Sequence, residues 1–313
     1  MKKTFKPADL KKIRTCSLKK RKSLVQRDKL GSPCAASASF GEFLNSLPEI
    51  LAAKDFREIV QRLARARRNR RVIIWGMGAH VIKVGLSAVL IDLMEQGFIS
   101  CIALNGAGVI HDVEMAMTGN TSEDVAAELD SGDFGMSGET ASFINAAVAR
   151  GMKEGRGLGE SVGRALLESR FPYLKESIIA AACSLNIPVT VHVAIGTDII
   201  HMHPSFDGAA FGEASHRDFR LLTAVVGSLQ GGAYLNVGSS VILPEVFLKA
   251  LNVARNLGNT VNNFTTVTLD FIRHYRPMTN VVQRPVMKGG KGFALVGHHE
   301  IMVPLLAAAL KQG

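Results

Sequence analysis

Cysteine is scarce in this chain of 313 residues: Cys16, Cys34, Cys101 and Cys183 are all there are, and no Cys-x-x-Cys pair occurs. That argues against a disulfide framework or a cysteine-built zinc module. The thiols are expected to be reduced, in a cytoplasmic protein. Long apolar runs are also missing. None reaches the roughly 18 residues of a membrane span, and the basic start is not followed by the apolar core of a signal peptide. Neither a Gly-x-Ser-x-Gly elbow nor a Walker A loop is present. No repeat of roughly 20 to 50 residues is visible, which removes solenoids and propellers.

What is present is unevenly placed. The whole chain has 37 basic and 27 acidic residues, and residues 1 to 34 hold 12 of the first against two of the second. The remainder is therefore neutral, with 25 of each. A nucleic-acid protein would usually carry its basic face on the fold, so no nucleic acid is expected as partner, and no membrane. Residues 1–38 read as a basic arm, either solvated or docked on an acidic surface such as a neighbouring subunit. Residues 39–70 read as a helical extension of one or two helices. Its closing "RARRNRR" favours the negative end of a helix dipole.

Residues 71–313 alternate continuous apolar strands with helices. Strands are predicted at 71–76, 98–106, 187–196, 232–239, 263–271 and 292–297. Helices are predicted at 84–97, from 107, at 213–230, at 243–258 and at the C-terminus, and the stretch 121–186 reads as mostly helical. Continuous apolar strands mean a parallel sheet covered on both faces. The expected fold is α/β: a doubly wound, mainly parallel sheet of about six strands.

In such sheets the ligand lies beyond the carboxyl ends of the strands. His80, His111, Asp112, Asp198, His201, His203, His298, His299 and Glu300 all follow predicted strands. With His274, seven of the nine histidines do so. Random scatter would not favour one edge, so a shared active site at that rim is expected. "WGMGAHVIKVG" places Gly76 and Gly78 ahead of His80, without the third glycine of a dinucleotide fingerprint. "LNGAGVIHD" places glycines at a helix start, where amides can open toward an anion. His201-x-His203 beside Asp198 has the ligand types of a divalent metal site. His298 and His299 would face opposite ways, so at most one enters the site. His192 and Cys101 read as core residues.

The stretches "VGLSAVLIDLMEQGFISCIALNGAGVIHD", "IPVTVHVAIGTD", "GAYLNVGSS" and "GFALVGHHEIMVPLL" resemble deoxyhypusine synthase and its prokaryotic homologues over roughly residues 70 to 310. The resemblance implies an NAD-binding fold, a homotetramer with sites at subunit interfaces, and an N-terminal segment covering a neighbour's site. It carries the family's Thr-Ala-Gly-Gly turn onto Asn105, Gly106, Ala107 and Gly108. Its NAD-contacting aspartate falls on Asp198, and its triple-glycine turn on Gly238, Ser239 and Ser240. The Ala-Asp pair of its last strand falls near Gly297 and His298. The family's imine-forming lysine falls on Ala294; Lys291 and Lys288 are the nearest lysines. Its acidic substrate stretch is replaced by "LDFIRHYRP".

Three readings follow. The first is an NAD-dependent transferase or oxidoreductase on a small amine-containing (polyamine-like) substrate, without the lysine-imine step. Its general base would be His298, His111 or His80, near the pKa range suited to proton transfer. The second is a metal-dependent hydrolase or lyase using His201, His203 and Asp198. The third is a non-catalytic oligomeric scaffold.

Overall fold

The computed structural model describes residues 4–312, so Lys2 and Lys3 of the basic arm lie outside the described residues. The rest of the arm carries two single 3-10 turns, Leu10–Lys12 and Arg27–Lys29, and is almost wholly exposed. It ends at Ser39, whose hydroxyl accepts from the amide of Glu42 while the Glu42 carboxylate accepts from the amide of Ser39. This reciprocal cap starts α1 (Phe40–Ser46). The 18-residue α2 (Leu51–Arg68) follows, burying Phe56, Ile59, Leu63 and Ala66 at helical spacing. Arg65, Arg67 and Arg68 fill its last turn. Arg67 also donates to the carbonyl of Gln96 at 2.6 Å and lies over the Phe98 ring. These contacts occupy Arg67 structurally.

Six strands form one sheet: β1 (Ile73–Met77), β2 (Cys101–Asn105), β3 (Val189–His192), β4 (Ala233–Val237), β5 (Thr265–Asp270) and β6 (Lys291–Val296). All pairings are parallel, in the order β3-β2-β1-β4-β5-β6. The strand order therefore reverses direction between β1 and β4, the switch point of a doubly wound sheet. The first five strands are buried along nearly their whole length, as their continuous apolar sequences require. Alternate residues still serve opposite layers: Ile73, Trp75 and Met77 pack into one core, Ile74 into the other.

The connecting helices are α3 (His80–Lys83) and α4 (Ser87–Glu95) after β1, then α5 (Gly106–Thr118), α6 (Val125–Glu128), α7 (Gly138–Lys153), α8 (Leu158–Glu168) and α9 (Ile178–Ser184) before β3. α10 (Gly208–Gly227) and α11 (Ile242–Asn256) pack against each other beneath the sheet. α12 (Tyr275–Pro277) leads into a π-turn, and α13 (His299–Leu310) closes the chain. The expected helix over 84–97 is shorter, because Gly85 adopts φ 77° and separates α3 from α4. The expected strand over 187–196 ends at His192. Cys101 is a core residue, its thiol pushed up to about 12 by burial. His192 is buried against Thr190 at 3.0 Å, and burial pushes its pKa down to about 4.

β3 is an edge strand, and such edges expose unpaired amides. Here α10 covers the edge. Asp218 accepts from the amides of Val191 (2.8 Å) and Gly159 (2.9 Å), and Ser215 accepts from the amide of Val193. One buried carboxylate thus ties the edge strand to the start of α8. Burial pushes Asp218 up to about 7, its amide hydrogen bonds notwithstanding.

Asp218→Ala strands these buried amides and is expected to cost about 3 kcal/mol or more, read as a lowered urea midpoint. The raised pKa fixes a sign as well. Between about pH 4 and pH 7 the folded state binds more protons than the unfolded one, so this group's contribution falls as pH rises through that window. The loss of stability between pH 5 and pH 8 should be smaller in Asp218→Asn than in the unaltered protein; equal losses would refute the assignment.

Candidate active site at the carboxyl rim of the sheet

The glycine turn after β2 is not an open anion cradle. Asn105 accepts from the amide of Gly108 at 3.0 Å through its own side chain, capping α5. The amide of Ala107 donates to Asp198, which arrives from the loop after β3. A Cβ on Gly106 would stand 2.0 Å from Asp198 Oδ2. Gly106 is therefore required by the approach of a carboxylate of the same chain. That carboxylate is buried, and burial pushes it up to about 6. Its Oδ2 has no hydrogen-bond partner among the described residues.

Asp112, the carboxylate beside His111, does not reach the rim. It is fully buried and accepts from the Ser177 hydroxyl (2.5 Å) and the amides of Ile178 (2.8 Å) and Ile179 (3.2 Å). Its work is to cap α9. His111 faces the other way, into a cleft of about 200 Å³ lined by Lys83, Ala107, His111, Glu114, Glu123 and Asp198 among others. The His111 Nδ1 lies 2.6 Å from Thr121 Oγ1, and the Thr121 hydroxyl donates to Glu114 Oε2 at 2.5 Å. Burial is the largest influence on Glu114 and pushes it up, but His111, with Nδ1 3.7 Å from Oε2, and the hydrogen bond from Thr121 outweigh it and hold the carboxyl below its usual value.

A second cluster sits beyond β1, β5 and β6. The rings of His80 and His299 lie 5.4 Å apart, and Phe271 packs near both. His299 is buried, and its Nε2 bonds the carbonyl of Leu269 at 3.1 Å. Its Nδ1 has no partner among the described residues. Burial pushes its pKa down. Gly238, at φ 67°, lies under this ring: a Cβ there would stand 2.8 Å from His299 Cε1. Gly78 meets Gly238 across the switch point, where a Cβ would stand 2.2 Å from the Gly238 carbonyl. Ser239 accepts from the amide of Leu243 and starts α11; Ser240 is half-buried at the turn.

Several sequence expectations change accordingly. The rim carries two clusters rather than one pocket, and α3 bridges them, with His80 in one and Lys83 in the other. His298 is 67% exposed and stacks on Phe271, whereas His299 enters the interior, so the inward histidine of the pair is His299. Gly76 is explained by packing: a Cβ would stand 2.4 Å from the Tyr234 hydroxyl. His201 and His203 do not form a metal site. His201 Nδ1 accepts from the amides of Gly196 and Asp198, and His203 Nδ1 pairs with Ser205. No group of three or more ligating side chains gathers among the described residues. Lys291 pairs with Glu58 at 2.5 Å at the opposite end of β6, and Ala294 lies mid-strand, so neither Lys291 nor the preceding Lys288 stands at the carboxyl rim. Glu114 and Thr121 escaped the sequence reading, where only the i, i+3 spacing of His111 and Glu114 hints at a pair; His299 is among the residues expected at the rim, but His298 is the one given a catalytic role.

No family model and no curated protein matches the chain. Solved structures do. The complex of AgrE with ornithine and NAD+ matches with a TM-score of 0.55 at 13% identity, over 83% of this chain and 33% of that one. ArgZ, an arginine dihydrolase from the ornithine–ammonia cycle in Cyanobacteria, matches with a TM-score of 0.51 at 18% identity, over 84% and 33%. This chain spans about a third of the length of each. A proposed deoxyhypusine synthase from Entamoeba histolytica matches with a TM-score of 0.51 at 12% identity, over 89% of this chain and 95% of that one. At such identities the likeness is one of fold. The chain has the deoxyhypusine synthase-like fold: a six-stranded parallel α/β sheet preceded by helices. No described helix is long and apolar enough to cross a membrane.

Gly106→Ala is expected to drive its Cβ into Asp198 and cost about 1–3 kcal/mol. In an Asp198→Ala background the same change should cost much less, because the colliding oxygens are gone. A thermal-denaturation cycle over the four proteins measures this; strictly additive losses would rule out the contact as the cause.

Proposed function

We propose that the protein is an NAD-dependent enzyme acting on a small amine-containing substrate, a transferase or oxidoreductase without a lysine-imine step. The observation that carries the reading is the switch point itself. Gly78 and Gly238 let the turns after β1 and β4 pack against each other and against the His299 ring, and so bring the His80–His299 pair to the switch point. The unpartnered Nδ1 of His299 is a buried polar atom with an unmet hydrogen bond, a fit for a polar cofactor group. NAD would be held beside the switch point by Ser240, His80 and His299; the amides of Gly78 and Gly238 are themselves spent on the carbonyls of Val237 and Leu269. When bound, it supplies a hydride acceptor. At the Asn105–Gly108 turn the Gly108 amide is engaged by Asn105 and Asp198 packs on Gly106, which favours the switch point over that turn for the cofactor.

The chain's own residues do the rest. Asp198, Glu114 and Glu123 outnumber Lys83 around the cleft, which suits a cationic amine. His111 takes or returns a proton at Nε2. The α3 turn, carrying His80 and Lys83, keeps cleft and switch point adjacent. The structural neighbour solved with ornithine and NAD+ supports the pairing of an amine with this cofactor on such a fold. Self-association belongs to the same reading. Ile272, Tyr275, Val296 and Ile301 are large apolar side chains left 50% or more exposed near the β5–β6 edge.

NAD+ or NADH at millimolar concentration should raise the melting temperature. Saturation at about 100 Kd corresponds to about 2.7 kcal/mol. No shift with either form sinks the cofactor assignment. Sedimentation equilibrium should give an oligomer, and Tyr275→Asp with Ile272→Asp should shift it toward monomer; a monomeric parent protein overturns that part.

A further inference from the structure

The Thr121 hydroxyl has one proton and touches two groups. One is the Glu114 carboxylate, at 2.5 Å; the other is His111 Nδ1, at 2.6 Å. An ionised carboxylate can only accept. The hydroxyl proton therefore points to Glu114, and the hydroxyl oxygen must accept from His111. That assigns the ring: Nδ1 carries the hydrogen and Nε2 keeps the lone pair. Nε2 has no hydrogen bond among the described residues and is not sealed from solvent, and the ring lines the cleft.

We infer that Thr121 and Glu114 are positioning residues that hold His111 as the Nδ1–H tautomer and present its Nε2 as the proton acceptor of the cleft. The inference deepens the functional reading above and rests on it for the identity of the cleft as the active site. The proton passes from an N–H or O–H of the ligand to Nε2. The imidazolium that results keeps its Nδ1–H bond to Thr121, and the Glu114 charge beyond the hydroxyl stabilises it. Glu114 is itself held from a second element, for Thr140 of α7 donates to its other oxygen at 3.4 Å. Thr121 lies in the loop after α5, so three separate segments must be in place for the ring to be aimed. The other titratable groups around the cleft are Lys83 from α3, Glu123 from the loop before α6, and Asp198 from the loop after β3.

The test is imidazole nitrogen NMR on the full chain at a pH where His111 is neutral, with the signal assigned by its loss in His111→Asn. The unaltered protein should show the Nδ1–H tautomer. Thr121→Val should shift the ratio roughly five-fold or more toward Nε2–H, the share one ordinary hydrogen bond controls, and Thr121→Ser should restore it. An Nε2–H tautomer in the unaltered protein overturns the inference, even if Thr121→Val does not fold. So does a valine variant that folds and leaves the ratio unchanged. None of these signals requires NAD, so failure here and failure of the cofactor assignment are separately visible.

Discussion

Buried carboxylates at helix N-termini hold this molecule in register. Asp112 caps α9, Asp198 meets the first turn of α5, and Asp218 ties α8 to the edge strand β3. Each sits where backbone amides and the positive end of a helix compensate a charge removed from water. Compensation is incomplete, and burial raises all three: Asp112 and Asp198 to about 6, Asp218 to about 7. Apolar packing alone would leave the helices of the long β2–β3 connection free to slide along the sheet. Directional bonds to named amides do not allow that.

The same device shapes the candidate site. Both oxygens of Asp112 accept hydrogen bonds from the chain and Oδ2 of Asp218 takes two amides, whereas Oδ2 of Asp198 has no donor among the described residues. The Ala107 amide fixes the orientation of that carboxylate, and the glycine at 106 lets it approach. Its Oδ2 is sealed against Gly106, with His201 Nε2 3.8 Å away, so the carboxylate serves first to fasten the β3 loop to α5. His299 repeats the pattern at the switch point: Nε2 is spent on the Leu269 carbonyl, and Nδ1 is free.

Much of this was legible in the sequence. Continuous apolar strands such as "RVIIWG" and "FISCIALNG" have one physical solution, a parallel sheet buried on both faces, and six strands were found where six were expected. His111, Asp198, Ala107 and Lys83 do share a cleft. What could not be read was which side of the backbone each group takes. Asp112 and His111 are adjacent in sequence, yet one fastens α9 and the other lines the cleft, because neighbours on a helix are about 100° apart. His298 and His299 divide in the same way at the start of α13. The two histidines proposed as metal ligands failed for a further reason: short-range bonds to Gly196, Asp198 and Ser205 occupy the Nδ1 of each locally, and local bonds leave no periodic trace.

The unmet polar atoms bear on whether the fold is an inert scaffold. A buried polar atom without a partner costs about 1–3 kcal/mol. Asp198 Oδ2, His201 Nε2 and His299 Nδ1 all carry that cost, and all three lie just beyond the carboxyl ends of strands. Others lie inside the core, among them Trp75 Nε1 of β1 and Thr266 Oγ1 of β5, so an unmet bond by itself does not mark a site. What sets Asp198 and His299 apart is their place at the carboxyl rim, where the proposed reading puts a polar ligand able to complete them.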